Sequence, residues 1–216
     1  AATGQNRGYQ ASNRRWVTPT FAPEARFDSL PPYPELKWRW TVLLTPRNPL
    51  YVSSGKGEEP EEAELQKMEI EATLYDPALI EAWVRYQAER DSSTDLEGYR
   101  RRYRQLHDPE HLLRIELRLY SAFAEKSVDL NIWTVYLVDD RGTFHEPSRI
   151  VQGEVTQREL EVGYFRYPIR RTVISRTADL YFPRVTFYGH HLYGPETRSL
   201  KLVFAYRREV LGEGTW

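Results

Sequence analysis

A strand-rich domain, folded as a two-sheet β-sandwich and interrupted by a helical excursion near residues 77–107, is the fold class this sequence predicts. Three observations predict it. Apolar and polar residues alternate along several runs of strand length. Turn-forming Pro, Gly and Asp residues separate those runs at the spacing of sandwich strands. Aromatic residues reach 13%, with 15 Tyr and 6 Trp, and large rings suit a pleated, half-buried surface.

The totals bound the answer. A chain of 216 residues fits one large domain, or one domain with an appendage. Hydrophobic residues make up 40% and charged residues 28%, enough apolar surface for a core. The formal net charge of -1 argues against a dedicated nucleic-acid binder, whose affinity rests on a basic excess facing phosphates. Arg supplies 25 of the 30 basic residues, a bias that genome composition explains as readily as Arg-specific binding. The lack of Cys excludes disulfides, thiolate zinc sites, iron–sulfur clusters and Cys nucleophiles. No run approaches the ~18 apolar residues of a membrane span. Residues 1–14, AATGQNRGYQASNR, are small and polar, the composition that follows a removed export signal.

Residues 1–35 carry five prolines between Pro19 and Pro34, so no single regular element runs through them. They read as an extended arm, with Trp16, Phe21 and Phe27 as anchors for docking. The sandwich domain then spans 36–216. Leu36, Trp38, Trp40, Val42 and Leu44 share one face of a first strand, which Pro46 and Pro49 end. Seven Glu lie between Glu58 and Glu71; the later ones form the solvated face of a second strand whose inward residues are Met68, Ile70, Ala72 and Leu74, with Lys67 and Thr73 also outward.

Asp76-Pro77 opens a helix, because Asp caps orphan amides and Pro fits the first turn. Leu79, Ile80, Trp83 and Val84 then follow at helical spacing. Thr94 or Asp95 opens a second helix with the stripe Leu96, Tyr99, Tyr103, Leu106, closed by His107-Asp108-Pro109. Strands resume with Leu113, Ile115, Leu117 and Leu119 facing inward. Residues 132–138, IWTVYLV, are apolar on both faces and read as a central strand. Asp139-Asp140-Arg141-Gly142 is a turn. Leu160 and Val162 mark a short strand, residues 170–182 a longer one, and LKLVFAY, 200–206, the last clear one.

From Trp133 to Tyr206 the chain resembles the second half of bacterial extracytoplasmic immunoglobulin-like sandwiches. The residues that carry the likeness are VYLVDDRGTFHEP (Val135 to Pro147), the strand ending in Tyr181-Phe182-Pro183, and Leu200-Lys201-Leu202-Val203-Phe204. In those domains a strand runs into a D-x-G turn and a strand of the L-x-L-V-F kind closes the sheet. The resemblance implies an immunoglobulin-like fold and an envelope or secreted setting, often on a lipid-anchored protein. It implies no activity. The inserted helix pair and the arm are additions to the plain domain.

Candidate sites are few. His107 and His111 stand four apart, but Pro109 between them breaks the helix a metal pair would need. His190 and His191 sit in FYGHHLYGPE; a metal there would need a third ligand such as His145 or Glu196. As a structured aromatic loop the same segment offers Tyr188 and Tyr193 as rigid rings with polar tips. Ser53-Ser54-Gly55-Lys56-Gly57 lacks phosphate-loop spacing, and no G-x-S-x-G occurs. Asp139 and Asp140 are explained by their turn. Arg100, Arg101, Arg102 and Arg104 surround the Tyr99/Tyr103 stripe. They form either the solvated face of a packed helix, offset by Glu97 and Glu110, or a surface for an acidic partner, lipid or nucleic acid.

These readings converge on an expectation: a non-enzymatic, exported binding or structural component of a larger envelope or extracellular assembly. It needs no cofactor and no metal, binds no nucleic acid, has no transmembrane span and associates with membranes peripherally or through a lipid anchor if at all. Its partner-binding residues are Tyr188, His190, His191, Tyr193, Arg100, Arg101, Arg104 and Trp16. The alternative is a carbohydrate-binding module or glycan-active sandwich, which would display Trp16, Trp38, Trp83 or Trp133 in an exposed coplanar row.

Overall fold

Alternation along one strand organises the molecule. In β3 (Leu112–Ser121), Leu113, Ile115, Leu117 and Leu119 are fully buried, while Arg114, Glu116, Arg118 and Tyr120 face the other way. A strand of this kind needs an apolar layer on one side and a polar cover on the other. The computed structural model, which describes residues 30–51, 67–162, 169–187, 189–194 and 196–216, supplies both. For 160–162 and 169–171 the description is of the backbone alone.

The apolar side is closed by a second sheet. β3 lies in the middle of a five-stranded antiparallel sheet with β1 (Thr41–Leu44), β2 (Met68–Tyr75), β6 (Arg149–Val162) and β7 (Ile169–Pro183), in the order β1-β2-β3-β7-β6. The opposing sheet holds β4 (Thr134–Val138), β5 (Phe144–His145), β8 (Lys201–Tyr206) and β9 (Glu209–Thr215), in the order β5-β4-β8-β9. Setting β1 and β5 aside, the two orders are those of an immunoglobulin-type sandwich, with strands A, B, E and D in one sheet and C, F and G in the other. Ile70, Leu74, Ile115, Leu117, Leu180 and Phe182 from one sheet join Val135, Leu137, Leu202 and Phe204 from the other in one core. Trp133 enters it just before β4. Its ring meets Phe204 edge-on at 5.6 Å, and its indole N–H donates to the Ser127 carbonyl at 3.0 Å.

One corner between the sheets is unusually tight. A Cβ on Gly212 of β9 would stand 2.7 Å from Cβ and 2.9 Å from Cα of Pro46, and one on Gly214 would stand 2.9 Å from Leu44 Cγ. Only glycine lets β9 pass this close to β1 and the segment after it. The Trp216 indole N–H then donates to the Trp40 carbonyl at 2.8 Å, sealing the seam.

The polar side of β3 is covered by three helices. α1 (Tyr33–Arg39) precedes β1, whereas α2 (Pro77–Arg90) and α3 (Leu96–His107) fill the connection between β2 and β3. The starts of α2 and α3 are where the sequence places them. Asp76 Oδ1 accepts from the Leu79 amide at 2.6 Å and Asp95 Oδ1 from the Gly98 amide at 2.8 Å. α3 ends at Asp108, which adopts a left-handed conformation with φ 46.

Several sequence readings are corrected. Leu36 to Leu44 is not one strand: it is α1 followed by the four residues of β1. The alternation misleads because Leu36 and Trp40 also stand four apart; both are buried while Trp38 between them is 54% exposed. Pro32 at the cap and Pro34 in the first turn start this helix, which begins inside the stretch read as the extended arm. The strand marked by Leu160 and Val162 is the end of β6, which begins at Arg149. Thr73 is buried, sharing a hydroxyl–hydroxyl bond of 2.8 Å with Thr41. LKLVFAY is not the last strand, because β9 follows it. Of IWTVYLV only Thr134–Val138 form the strand, β4, which is interior to its sheet between β5 and β8 although Thr134 is exposed; Ile132 ends a short 3-10 helix and Trp133 follows it. The arm up to residue 29, with Trp16, lies outside the described residues.

Candidate functional site

Cross-strand register sets out the chemistry of the helix-covered face. Tyr75 stands opposite Arg114, Arg114 opposite Tyr181, and Tyr181 opposite Arg149. Ring and guanidinium alternate across four strands. The Arg114 guanidinium lies 4.3 Å from the Tyr75 ring centre and that of Arg149 lies 3.8 Å from Tyr181, both within cation–π range. The neighbouring outward row runs Thr41, Thr73, Glu116, Asp179. Arg114 donates to Asp179 at 2.8 Å and to Glu116 at 3.3 Å; Glu116 also accepts from the Tyr75 hydroxyl at 3.0 Å and from Lys37 of α1. Burial alone would raise the Glu116 pKa, but Lys37 and Arg114 outweigh it and hold this carboxyl below the usual range.

α3 presses onto the same face. Tyr103 is its one fully buried side chain, set against Trp83 of α2 at 5.2 Å and His107 at 4.6 Å between ring centres. The Arg114 guanidinium stands 6.0 Å from the Tyr103 ring, yet the Tyr103 hydroxyl makes no hydrogen bond of good geometry to any described residue. Burial pushes its pKa up to about 12. His107 Nδ1 shares a hydrogen bond of 2.7 Å with the Tyr181 hydroxyl. Burial, with Arg114 and Arg149 nearby, pulls the His107 pKa down to about 4, so its ring is neutral at pH 7.

An open cleft of about 810 Å³ lies between α2, α3 and the turn after α3. Ile80, Tyr103 and Pro109 give it apolar walls. Four arginines, Arg85, Arg100, Arg104 and Arg184, line it against two glutamates, Glu81 and Glu110. Most of these charges are matched. Arg100 grips Glu81 with two bonds of 2.6 and 3.0 Å, and Arg85 adds a third at 3.2 Å; the Arg100 bonds lead in holding the Glu81 pKa down. Arg104 reaches Glu97 at 3.3 Å on the exposed rim.

Arg184 differs. It follows β7 directly, and its backbone amide donates to the His111 carbonyl at 2.8 Å. Its Nε donates to the Pro109 carbonyl at 2.5 Å, and its guanidinium lies 5.9 Å from the Tyr193 ring. Among the described residues no carboxylate lies within ion-pair distance of it. Burial lowers its pKa, opposed by Tyr193, Tyr103 and Asp76. Burial also lifts Asp76 to about 6, against the hydrogen bonds it accepts from the Leu79 and Ala78 amides and the charge of Arg184.

The residues singled out in the sequence therefore fall in different places. Arg100 and Arg104 line the cleft, and Arg101 is exposed on α3 outside it. Tyr193 meets the same cleft through Arg184 and packs edge-on to Trp40 at 6.4 Å. His190 and His191 are exposed in a loop folded on itself, where the Thr186 amide donates to the His190 carbonyl at 2.8 Å. Tyr188 lies outside the described residues. His145 bonds Asp139 at 3.0 Å, and Asp139 also accepts from the Arg141 and Thr143 amides of its own turn. Among the described residues no group of three or more His, Asp and Glu is placed to hold a metal ion. Arg184, Glu81 and Asp76 were not visible as site residues. Their only local signals are a helix cap and an Arg beside a Pro, both commonplace. Compared with known proteins, the chain matches no family model, no curated protein and no solved structure.

Proposed function

We propose that this chain is a non-enzymatic, exported binding or structural component of a larger envelope or extracellular assembly, and that it meets its partner through the helical face. The observation that carries this reading is the arginine-lined cleft. It is built from the helix pair that an immunoglobulin-type sandwich does not require and the turn after it, together with Arg184 just past β7, and it holds two more arginines than glutamates. Arginine is favoured where two proteins meet, because its planar fork binds carboxylates in pairs and it is more weakly hydrated than lysine. The resemblance of the stretch from Trp133 to Tyr206 to extracytoplasmic immunoglobulin-like domains supports the compartment, and no helix among the described residues is long and apolar enough to cross a membrane.

The sugar-binding alternative has less support. Stacking on pyranose faces needs a row of exposed rings, whereas Trp40, Trp133 and Trp216 are buried and Trp83 is half-buried against Tyr103. Trp38 alone of the described tryptophans is exposed. In-cell cross-linking followed by purification from the native source tests the proposal. A stoichiometric protein partner cross-linked to α2 or α3 is expected; a chain recovered only as a monomer would overturn it.

A further inference from the structure

We propose that β6 is a self-pairing edge: two copies of this chain join antiparallel through it, with the two-fold axis at Thr156. The surface is separate from the helical face, and its occupant is a second copy rather than a different protein.

The sandwich manages its two corners differently. At one, β1 and β9 close on each other through Gly212, Gly214 and Trp216. At the other, β5 has two residues and β6 has fourteen. An open edge is normally kept short, covered, or blunted with proline or lysine. β6 contains neither proline nor lysine, and no residue from Arg149 to Glu159 is buried. Ile150 is 42% and Val151 49% exposed. The one irregularity is a bulge at Gly153-Glu154, between the pairs Gln152 with Ala178 and Val155 with Arg176. There the Gly153 carbonyl already accepts from Arg176 Nε at 2.8 Å.

The far half of β6 also lacks support. β3 pairs with β7 only as far as Ser121 opposite Ile174. β6 and β7 continue past that point, from Arg158 opposite Val173 to Val162 opposite Ile169. This overhang is a two-stranded ribbon, which is marginal in water unless a third strand joins it. A second β6 laid antiparallel would add that strand. The overhang of each copy would then lie along the opposite end of the other's β6.

Charge selects the register. Opposite residues of an antiparallel pair share a face, so a two-fold axis perpendicular to the sheet passes through a residue. An axis at Glu154, Arg158, Glu159 or Glu161 sets a like charge against itself, and one at Leu160 sets Glu159 against Glu161 twice. An axis at Val155 or Gln157 brings no opposite charges together. An axis at Thr156 brings Arg158 against Glu154 of the partner subunit, and does so twice by symmetry. Glu154 and Arg158 are both exposed, and neither has an ion-pair partner among the described residues. Beyond the bulge, whose extra residue moves the count by one, the exposed Val151 comes opposite position 160.

The test uses the full chain, which has no Cys. Sedimentation velocity over concentrations on the order of 1 to 100 µM should show a reversible dimer. E154K and R158E each place two like-charge contacts across the axis and should each weaken it about tenfold or more. The double variant E154K/R158E restores opposite charges and should recover most of the association. T156C should form an intermolecular disulfide under mild oxidation, because opposed Cα atoms stand about 4.5–5.5 Å apart, within disulfide reach. R141C, on the exposed turn after β4, should not. A chain monomeric over the whole range, a double variant as weak as the single ones, or T156C cross-linking no faster than R141C would each overturn the proposal. So would a monomer that carries a different protein cross-linked at position 156 in the cell. A monomeric result leaves the helical-face reading standing, since that reading is tested by a cross-link from α2 or α3 to another protein.

Discussion

The two faces of β3 are made by the same ten residues and are held in different ways. On the inner face, leucine and isoleucine meet the second sheet and nothing more specific than area is at stake; each buried aliphatic side chain contributes about 1.5–3 kcal/mol. On the outer face, Arg114 and Glu116 bond each other and draw further partners from outside the strand. Tyr75 and Asp179 supply them from neighbouring strands and Lys37 from α1, while His107 of α3 bonds Tyr181 beside them. The inner face is redundant, so any residue of similar volume serves it. The outer face is a network of donors and acceptors centred on Arg114 and Glu116, where removing one member strands another.

Three measurements press on this contrast. The largest effect is expected inside. Phe204→Ala removes the ring that meets Trp133 and should destabilise by about 3–5 kcal/mol in urea denaturation. A loss below about 1 kcal/mol would mean that the sheets are not packed as described.

Next comes the outer face. Glu116→Gln leaves Lys37 and Arg114 without their shared carboxylate and should cost about 2–4 kcal/mol. Glu116→Gln combined with Lys37→Met should recover part of that loss. A cost of E116Q as small as that of an exposed ion pair, below about 1 kcal/mol, would show that the network is solvated after all.

The smallest effect is a dependence on pH. His107 has a folded pKa of about 4, below its ordinary value of 6.5. Between those limits the unfolded chain binds the proton and the folded chain does not, so stability falls as pH drops from about 6.5 to 4. Asp76 works in the opposite sense: its folded pKa of about 6 exceeds its ordinary 3.8, so between them the folded form holds the proton, and stability rises as pH drops. His107→Gln should therefore leave a chain whose melting temperature rises on acidification over this window more than the parent's, and Asp76→Asn one whose melting temperature falls more. Parallel curves for parent and H107Q would remove His107 from the buried face.

Which of these features could be read in the sequence follows from the range over which each is encoded. The inward rows of β2 and β3 are written in period-2 alternation, and Asp76-Pro77 and Asp95 announce α2 and α3 through caps three residues long. α1 stays hidden because Leu36, Trp38 and Trp40 fit two periods at once. β9 stays hidden because EVLGEGT is mostly exposed and carries two glycines that serve a neighbour rather than the strand itself. The cleft is half legible. Arg100 and Arg104 stand out as a cluster, but the residues that decide its charge, Glu81 and Arg184, arrive from a different helix and from the end of β7. No spacing rule joins positions that meet only in the folded chain.

The seam at Trp216 bears on how the molecule comes to be made. Its indole bond to Trp40 joins residues 176 apart in sequence, so closing it directly from an open chain would cost on the order of 4–5 kcal/mol in loop entropy. Contacts so distant reward the chain only after nearer ones have shortened the path, which places the β1–β9 corner among the last parts to form, behind the local α2–α3 pair. Until β9 pairs, β8 is the edge of its sheet and presents an open row of amides and carbonyls to its neighbours; β9 covers that row, and its two glycines then let the new edge tuck against β1.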